Sequence, residues 1–232
     1  MSAAFADLRL LHVVVPLRSL ASGKARLGGS IDAEERETLL RGMLRRTLAV
    51  LDAWPASRAI HLVSTDPGLL VETVVDLSTP VRPLLQRHGG LNEALRMGRD
   101  DAVAAGATAV LMLPADLPYL SIDALDGLLE AADAALAAGS GGPVLVIAPS
   151  DARQGTNALL LSPPDLIEPC FGLDSFEAHL RASARVGAAL QVVDDPALGF
   201  DVDTPEDLER LESGVMRELS DLGASPVGAG VE

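Results

Sequence analysis

Three aspartates stand where carboxylates can do chemistry. Asp116 lies in "VLMLPADLPYLS" (110–121), at the end of an apolar run and between Pro114 and Pro118. Asp201 and Asp203 lie two apart in "GFDVDTPEDL" (199–208). On an extended segment, side chains at i and i+2 share a face. Two carboxylates placed that way repel unless a cation lies near them. If the tip carrying Asp116 and the tip carrying Asp203 meet at one edge of a sheet, they form a hard, oxygen-only site. Mg2+ prefers such a site, combining one or two carboxylates with water and substrate phosphate. Asp116 and Asp203 are therefore the expected metal ligands, and Mg2+ the expected cofactor. Ordinary alternatives stand beside this reading. Asp next to Pro is common turn chemistry, and acids ahead of a helix are favoured by its dipole.

The bases are few and gathered. Arg18, Lys24 and Arg26 share the Gly-containing stretch "PLRSLASGKARL". It is neither a Walker loop nor a GxGxxG loop. Against 33 acids and 18 bases overall, for a formal charge of −15, such a cluster is notable. At the end of a first strand it would hold a nucleoside triphosphate, with Lys24 and Arg26 offsetting phosphate charge. The histidines His12, His61, His88 and His179 are scattered, and each reads most simply as a strand or surface residue.

These residues need elements to position them. "LRLLHVVVP" (8–16), "AIHLVS" (59–64), "VRPLL" (81–85), "AVLML" (109–113), "PVLVIAP" (143–149), "TNALLLS" (156–162), "LQVVD" (190–194) and "LGFDV" (198–202) read as strands. The helices expected between them start at Asp32, in a capping box with Glu35, at 91–106, from a Ser121 cap to Ala138, at 174–187 and at 204–212 with Thr204 as cap. Alternation of Val/Leu-rich strands with helices predicts an α/β fold, with a mostly parallel central sheet and helices on both faces. Ligands of such sheets sit at the carboxyl ends of the strands. Residues 8–212 are expected to form one domain. Residues 213–232 lose periodicity and are expected to be a flexible tail.

Composition excludes several classes. Apolar residues make up 48% of the 232, enough for a sizeable core. No apolar run approaches the roughly 18 residues that span a bilayer, and no signal peptide is evident. The single cysteine, Cys170, excludes an internal disulfide and a Cys-based zinc site. The acidic balance argues against nucleic-acid or anionic-membrane partners. The expected location is cytoplasmic, and a homodimer is compatible with the sequence.

Six motifs in order carry a resemblance: "PLRSLASGKARL", "GLNEAL", "LPADLPYL", "RQGTNALL", "FGLDSFEAHL" and "DVDTPEDL". From about Leu10 to Leu211 the chain resembles the CofC family of guanylyltransferases in coenzyme F420 biosynthesis. The resemblance implies a Rossmann-like nucleotidyltransferase fold. It also implies transfer of GMP from GTP to a small phosphorylated carboxylate, with pyrophosphate released. The acceptor would be phosphoenolpyruvate, 2-phospho-L-lactate or 3-phosphoglycerate. On this basis Lys24, Arg26 and Asp116 are catalytic, with Lys24 and Arg26 stabilising the leaving group. Arg18, Lys24, Arg26 and Asn92 would bind the nucleotide, Asn92 reading guanine or ribose unless it is simply a helix cap. Thr156, Gly172 and Ser175 would bind the phospho-acid. Arg18 departs from the lysine common in the family. Alternatives are a molybdopterin guanylyltransferase, a sugar nucleotidyltransferase, or a nucleotide-binding module without catalysis.

Overall fold

The computed structural model describes residues 7–17, 27, 30–73, 77–138 and 141–224. Its strands are β1 (Leu11–Leu17), β2 (Ala59–Ser64), β3 (Val81–Leu85), β4 (Ala109–Met112), β5 (Val144–Pro149), β6 (Thr156–Ser162) and β7 (Ala189–Val192). Its helices are α1 (Ala33–Ala53), α2 (Pro67–Thr73), α3 (Leu91–Ala104), α4 (Ile122–Ala138), α5 (Ser175–Val186), α6 (Pro196–Gly199), α7 (Pro205–Arg210) and α8 (Ser213–Ala224).

The strands form one sheet in the order β3-β2-β1-β4-β6-β5-β7. All neighbours are parallel except β6, which runs antiparallel to both β4 and β5. Every residue of β1, β2, β4, β5 and β6 is buried, as expected for strands covered on both faces. One apolar layer packs α1, α2 and α4 on the sheet through Leu44, Leu48, Leu69, Leu125 and Leu128. The other packs α3 and α5 through Leu95, Phe176 and Ala182. The α/β architecture is thus the expected one, with helices on both faces.

Strand order reverses beside β1: the chain winds outward through β2 and β3, then returns to place β4 on the other side of β1. A crevice opens outside the carboxyl ends of β1 and β4 at such a point. Because β6 runs backwards, its first residues lie at that same rim.

Three features differ from the sequence reading. Residues 198–202 form no strand: α6 occupies Pro196–Gly199, with Pro196 at its start and Asp195 capping the Ala197 N–H. α2 had no counterpart in the expectation. The third concerns residues 213–224, expected as tail, which form α8. This helix docks on α1 at backbone distance. A Cβ on Gly42 would overlap the Leu219 carbonyl, and one on Gly223 would overlap that of Thr38. Small residues at the crossing allow that approach, and Leu219 is buried with Leu39, Met43 and Val202.

Candidate functional site

Asp116 follows β4 after Leu113, Pro114 and Ala115. The Leu113 N–H donates to the Val14 carbonyl, extending the tie between β4 and β1 by one residue. Leu117 and Leu120 are buried beyond it, so the loop is anchored on both sides of the acid. Asp201 and Asp203 arrive from the far end of the chain. Between them, Val202 is fully buried among Leu27, Leu39, Met43 and Leu219, so the alternation of an extended segment turns both acids the other way. The Val202 N–H donates to the Asp116 carbonyl at 3.3 Å, joining the two segments directly. One carboxylate oxygen from each of Asp116, Asp201 and Asp203 lies within 4.8 Å of the other two. The structure thus brings together the two acids expected to bind metal and adds Asp201 as a third.

The acids are held by their neighbours. Thr204 caps α7 in a capping box with Asp207, and the Asp207 carboxylate accepts the N–H groups of Asp203 and Thr204 at 3.0 and 2.9 Å. Burial works to raise the Asp207 carboxyl, but these hydrogen bonds outweigh it and hold the group below its ordinary value. Asn157, buried at the start of β6, donates to the carbonyls of Leu198 and Gly199 and to Asp201 Oδ1 at 2.9, 3.0 and 3.3 Å. Three crowded carboxylates of mixed exposure suit a hard cation with oxygen ligands.

A second group forms where β6 meets α5. Thr156 Oγ1 is 2.9 Å from His179 Nδ1 and 3.2 Å from Ser175 Oγ, and all three residues are buried. The loop before α5 turns through Gly172 at φ +125° and Asp174 at φ +57°. The former is a glycine-favouring conformation. Ser175 opens the helix, with its N–H bonded to the Gly172 carbonyl. Thr156, Gly172 and Ser175 therefore converge as expected. His179 joins them, although its sequence position gave no sign of it.

Asn92 is not the helix cap. The cap of α3 is Gly90, and the Asn92 amide instead clamps Phe171. It donates to the Phe171 carbonyl at 3.0 Å and accepts the Phe171 N–H at 2.7 Å. This ties α3 to the loop that carries Gly172. Arg18, Lys24 and Arg26 lie outside the described residues. Of their described neighbours, Leu17 ends β1 at the rim, and Leu27 is buried beside Val202.

His12 and His61 also meet rather than scatter. Their rings stack, and His61 Nδ1 is 2.8 Å from Asp101. His12 is the second residue of β1, placing this cluster at the rim opposite the acids.

The reversal of this α/β sheet, with acids at its strand ends, defines a ligand-binding α/β domain of Rossmann-like fold. Solved structures of the same fold include the 4-diphosphocytidyl-2C-methyl-D-erythritol synthase of Anaerococcus prevotii, at TM-score 0.57 and 12% identity, covering 94% of this chain and 97% of that one. A CMP:2-keto-3-deoxy-manno-octonic acid synthetase complexed with CTP is alike at TM-score 0.56 and 14% identity, covering 90% of this chain and 99% of that one. Residues 11–214 match the family described as Guanylyl transferase CofC like, and the chain belongs to it. It is accordingly a guanylyltransferase. The phosphoenolpyruvate guanylyltransferase of Rubrobacter xylanophilus is 43% identical over 203 residues, 88% of this chain and 94% of the relative. That of Sphaerobacter thermophilus is 38% identical over 93% of this chain and 94% of its own length. A 3-phospho-D-glycerate guanylyltransferase of Colwellia psychrerythraea is 28% identical, over 91% and 97% respectively. Among the described residues, no helix is long and apolar enough to cross a membrane.

Proposed function

We propose that the chain transfers GMP from GTP to the phosphate of a small phosphorylated carboxylate, phosphoenolpyruvate first, in the coenzyme F420 pathway of the cytoplasm. The convergence of Asp116, Asp201 and Asp203 at the crevice carries this reading. The relatives that are 43% and 38% identical and named for phosphoenolpyruvate support the choice of acceptor.

A phosphate monoester has a second pKa of about 6, so at neutral pH it is mostly dianionic and needs no general base. One of its oxygens attacks the α-phosphorus of GTP. A new P–O–P bond forms as the α–β bridge breaks, and pyrophosphate carries away the electron pair. The barrier is repulsion between two polyanions, together with charge growing on the leaving group. Mg2+, held by Asp116 and Asp203 with Asp201 beside them, would supply charge neutralisation there. Arg18, Lys24 and Arg26, in the stretch of sequence between Leu17 and Leu27, supply the remaining positive charge at the triphosphate. Thr156, Gly172 and Ser175 seat the phospho-acid at the start of α5, where backbone N–H groups and the dipole favour an anion. Asn92 contributes through the loop it clamps.

Incubation with GTP, Mg2+ and each of the three phospho-acids, read by pyrophosphate release and mass spectrometry of the product, tests this. Phosphoenolpyruvate should turn over fastest. Turnover that persists in Asp116→Asn at the wild-type rate would remove the acids from the mechanism.

A further inference from the structure

His179 is fully buried on the face of α5 that also carries Ser175, Phe176 and Ala182. Its two ring nitrogens have unlike neighbours. Nε2 lies 3.1 Å from the backbone nitrogen of Cys170, which can only donate. Nε2 is therefore a bare acceptor, and the ring is neutral with its proton on Nδ1. Burial favours the same state, pushing the imidazole down to about 4. Nδ1–H then donates to Thr156 Oγ1 at 2.9 Å.

Counting hydrogens gives the consequence. Thr156 and Ser175 bring two hydroxyl hydrogens, and the contact between them uses one. With the imidazole N–H occupying a lone pair of Thr156, the second hydroxyl hydrogen has no acceptor among the described residues. Thr156 keeps 5% of its surface exposed and Ser175 none, so the outward hydrogen belongs to Thr156. The opposite tautomer would turn the Thr156 hydroxyl inward and leave the Ser175 contact as it is. Nδ1 would accept the Thr156 hydrogen, Ser175 would donate to Thr156, and only lone pairs would face an incoming anion.

We propose that His179 is a positioning residue for the phospho-acid, turning the Thr156 hydroxyl outward so that Thr156 meets the anion with an O–H. The proposal rests on the reading of Thr156, Gly172 and Ser175 as the phospho-acid site. A hydroxyl donating to a charged oxygen makes one of the stronger hydrogen bonds, whereas a reversed hydroxyl would repel the same oxygen.

Two measurements test it. Long-range 1H–15N correlation spectra of the labelled enzyme read the tautomer directly. A proton on Nδ1 at pH 7 is expected, and a proton on Nε2 overturns the proposal. Steady-state kinetics with GTP and phosphoenolpyruvate then separate two replacements. His179→Asn keeps an amide N–H near the place of Nδ1, whereas His179→Gln sets its amide near Nε2 and loses the donor to Thr156. The Gln variant should raise KM for phosphoenolpyruvate by about tenfold or more, and the Asn variant by less than about threefold. KM for GTP should hold in both. Equal values for the two variants, or a matching rise in KM for GTP, overturn the positioning role. Thr156→Val separates the two levels. If its KM for phosphoenolpyruvate is unaltered, the site reading fails and takes the proposal with it. If that KM rises while His179→Gln is silent, the proposal fails alone.

Discussion

Replacing Gly42 with alanine tests whether α8 supports the acids. Gly42 sits on α1 where α8 crosses it. A Cβ there would overlap the Leu219 carbonyl oxygen and stand 2.7 Å from its carbon and 3.0 Å from its Cα. The obstruction is helix backbone, which cannot rotate aside as a side chain could. Carbon contacts settle at about 3.5–4.0 Å, so the helices must part by roughly 1 Å. Overpacking of this kind costs about 1–3 kcal/mol. In a domain of this size, that lowers Tm by roughly 2–12 °C. The displaced residue matters, because Leu219 is fully buried in the layer that holds Val202, the residue between Asp201 and Asp203. Loosening Val202 should raise the Mg2+ concentration for half-maximal turnover by up to about tenfold, the scale seen when support behind metal ligands is lost. Gly127 in α4 is the control, since a Cβ there meets nothing within 4 Å. Gly127→Ala should leave metal dependence alone and gain about 0.5–1 kcal/mol of helix propensity. Differential scanning calorimetry and a Mg2+ titration of pyrophosphate release read both quantities. A Gly42→Ala protein that melts with the wild type refutes tight docking. One that melts earlier but keeps its Mg2+ dependence refutes the link from α8 to the acids.

Acid should destabilise the fold through its buried histidines. Burial pushes His61 and His179 down to about 4, the Asp101 hydrogen bond only partly opposing it at His61. The unfolded chain therefore binds more protons between the ordinary value of 6.5 and about 4, and stability falls as pH falls through that window. At pH 5 each histidine should have cost about 2 kcal/mol, so a Tm that stays level from pH 7 to pH 5 would refute the buried neutral state. Asn157→Leu removes the donor shared by Leu198, Gly199 and Asp201 and strands the Leu198 carbonyl, while that of Gly199 keeps the Asp151 N–H. It should cost about 2 kcal/mol or more. It should also weaken Mg2+ dependence, and calorimetry with the same titration would show neither change if Asn157 were only filling space.

Much of this was legible because it is periodic. Val/Leu runs alternating with helical spacing define the α/β layers, and the i, i+2 spacing of Asp201 and Asp203 puts both on one face. The apolar run ending at Asp116 places that acid at a strand tip. What periodicity cannot carry is contact between distant segments. The closeness of Asp116 to Asp201 depends on β4 lying next to β1, with Leu27, Val202 and α8 forming a separate apolar layer behind. Residues 213–224 looked like tail because Gly214, Gly223 and small neighbours lower helix propensity. Gly223 is nevertheless what the close crossing with α1 needs. Asn92 looked like a cap or a base reader because its chemistry allows both. Its clamp on Phe171, 79 residues away, is a product of the fold alone.

The start of β6 shows the same limit more sharply. Along a regular strand, Thr156 would share a face with Ala158 and Leu160, which pack in the layer of α1 and α4. Asn157 would point with Leu159 and Leu161 into the layer of α5. The observed contacts are the reverse: Thr156 meets Ser175 and His179 on α5, and Asn157 meets Leu198, Gly199 and Asp201. The register explains it. Ala148 pairs with Ala158 and Pro149 with Thr156, so Asn157 is an extra residue in a bulge. One inserted residue exchanges the faces of everything beyond it. In "RQGTNALL" nothing distinguishes a bulged start from a regular one. The bulge nevertheless sends two consecutive side chains to opposite sides, one to support the acids and one toward the proposed phospho-acid site. A single peptide thereby couples the two halves of the proposed reaction centre, and straightening it would turn both residues away from their tasks at once.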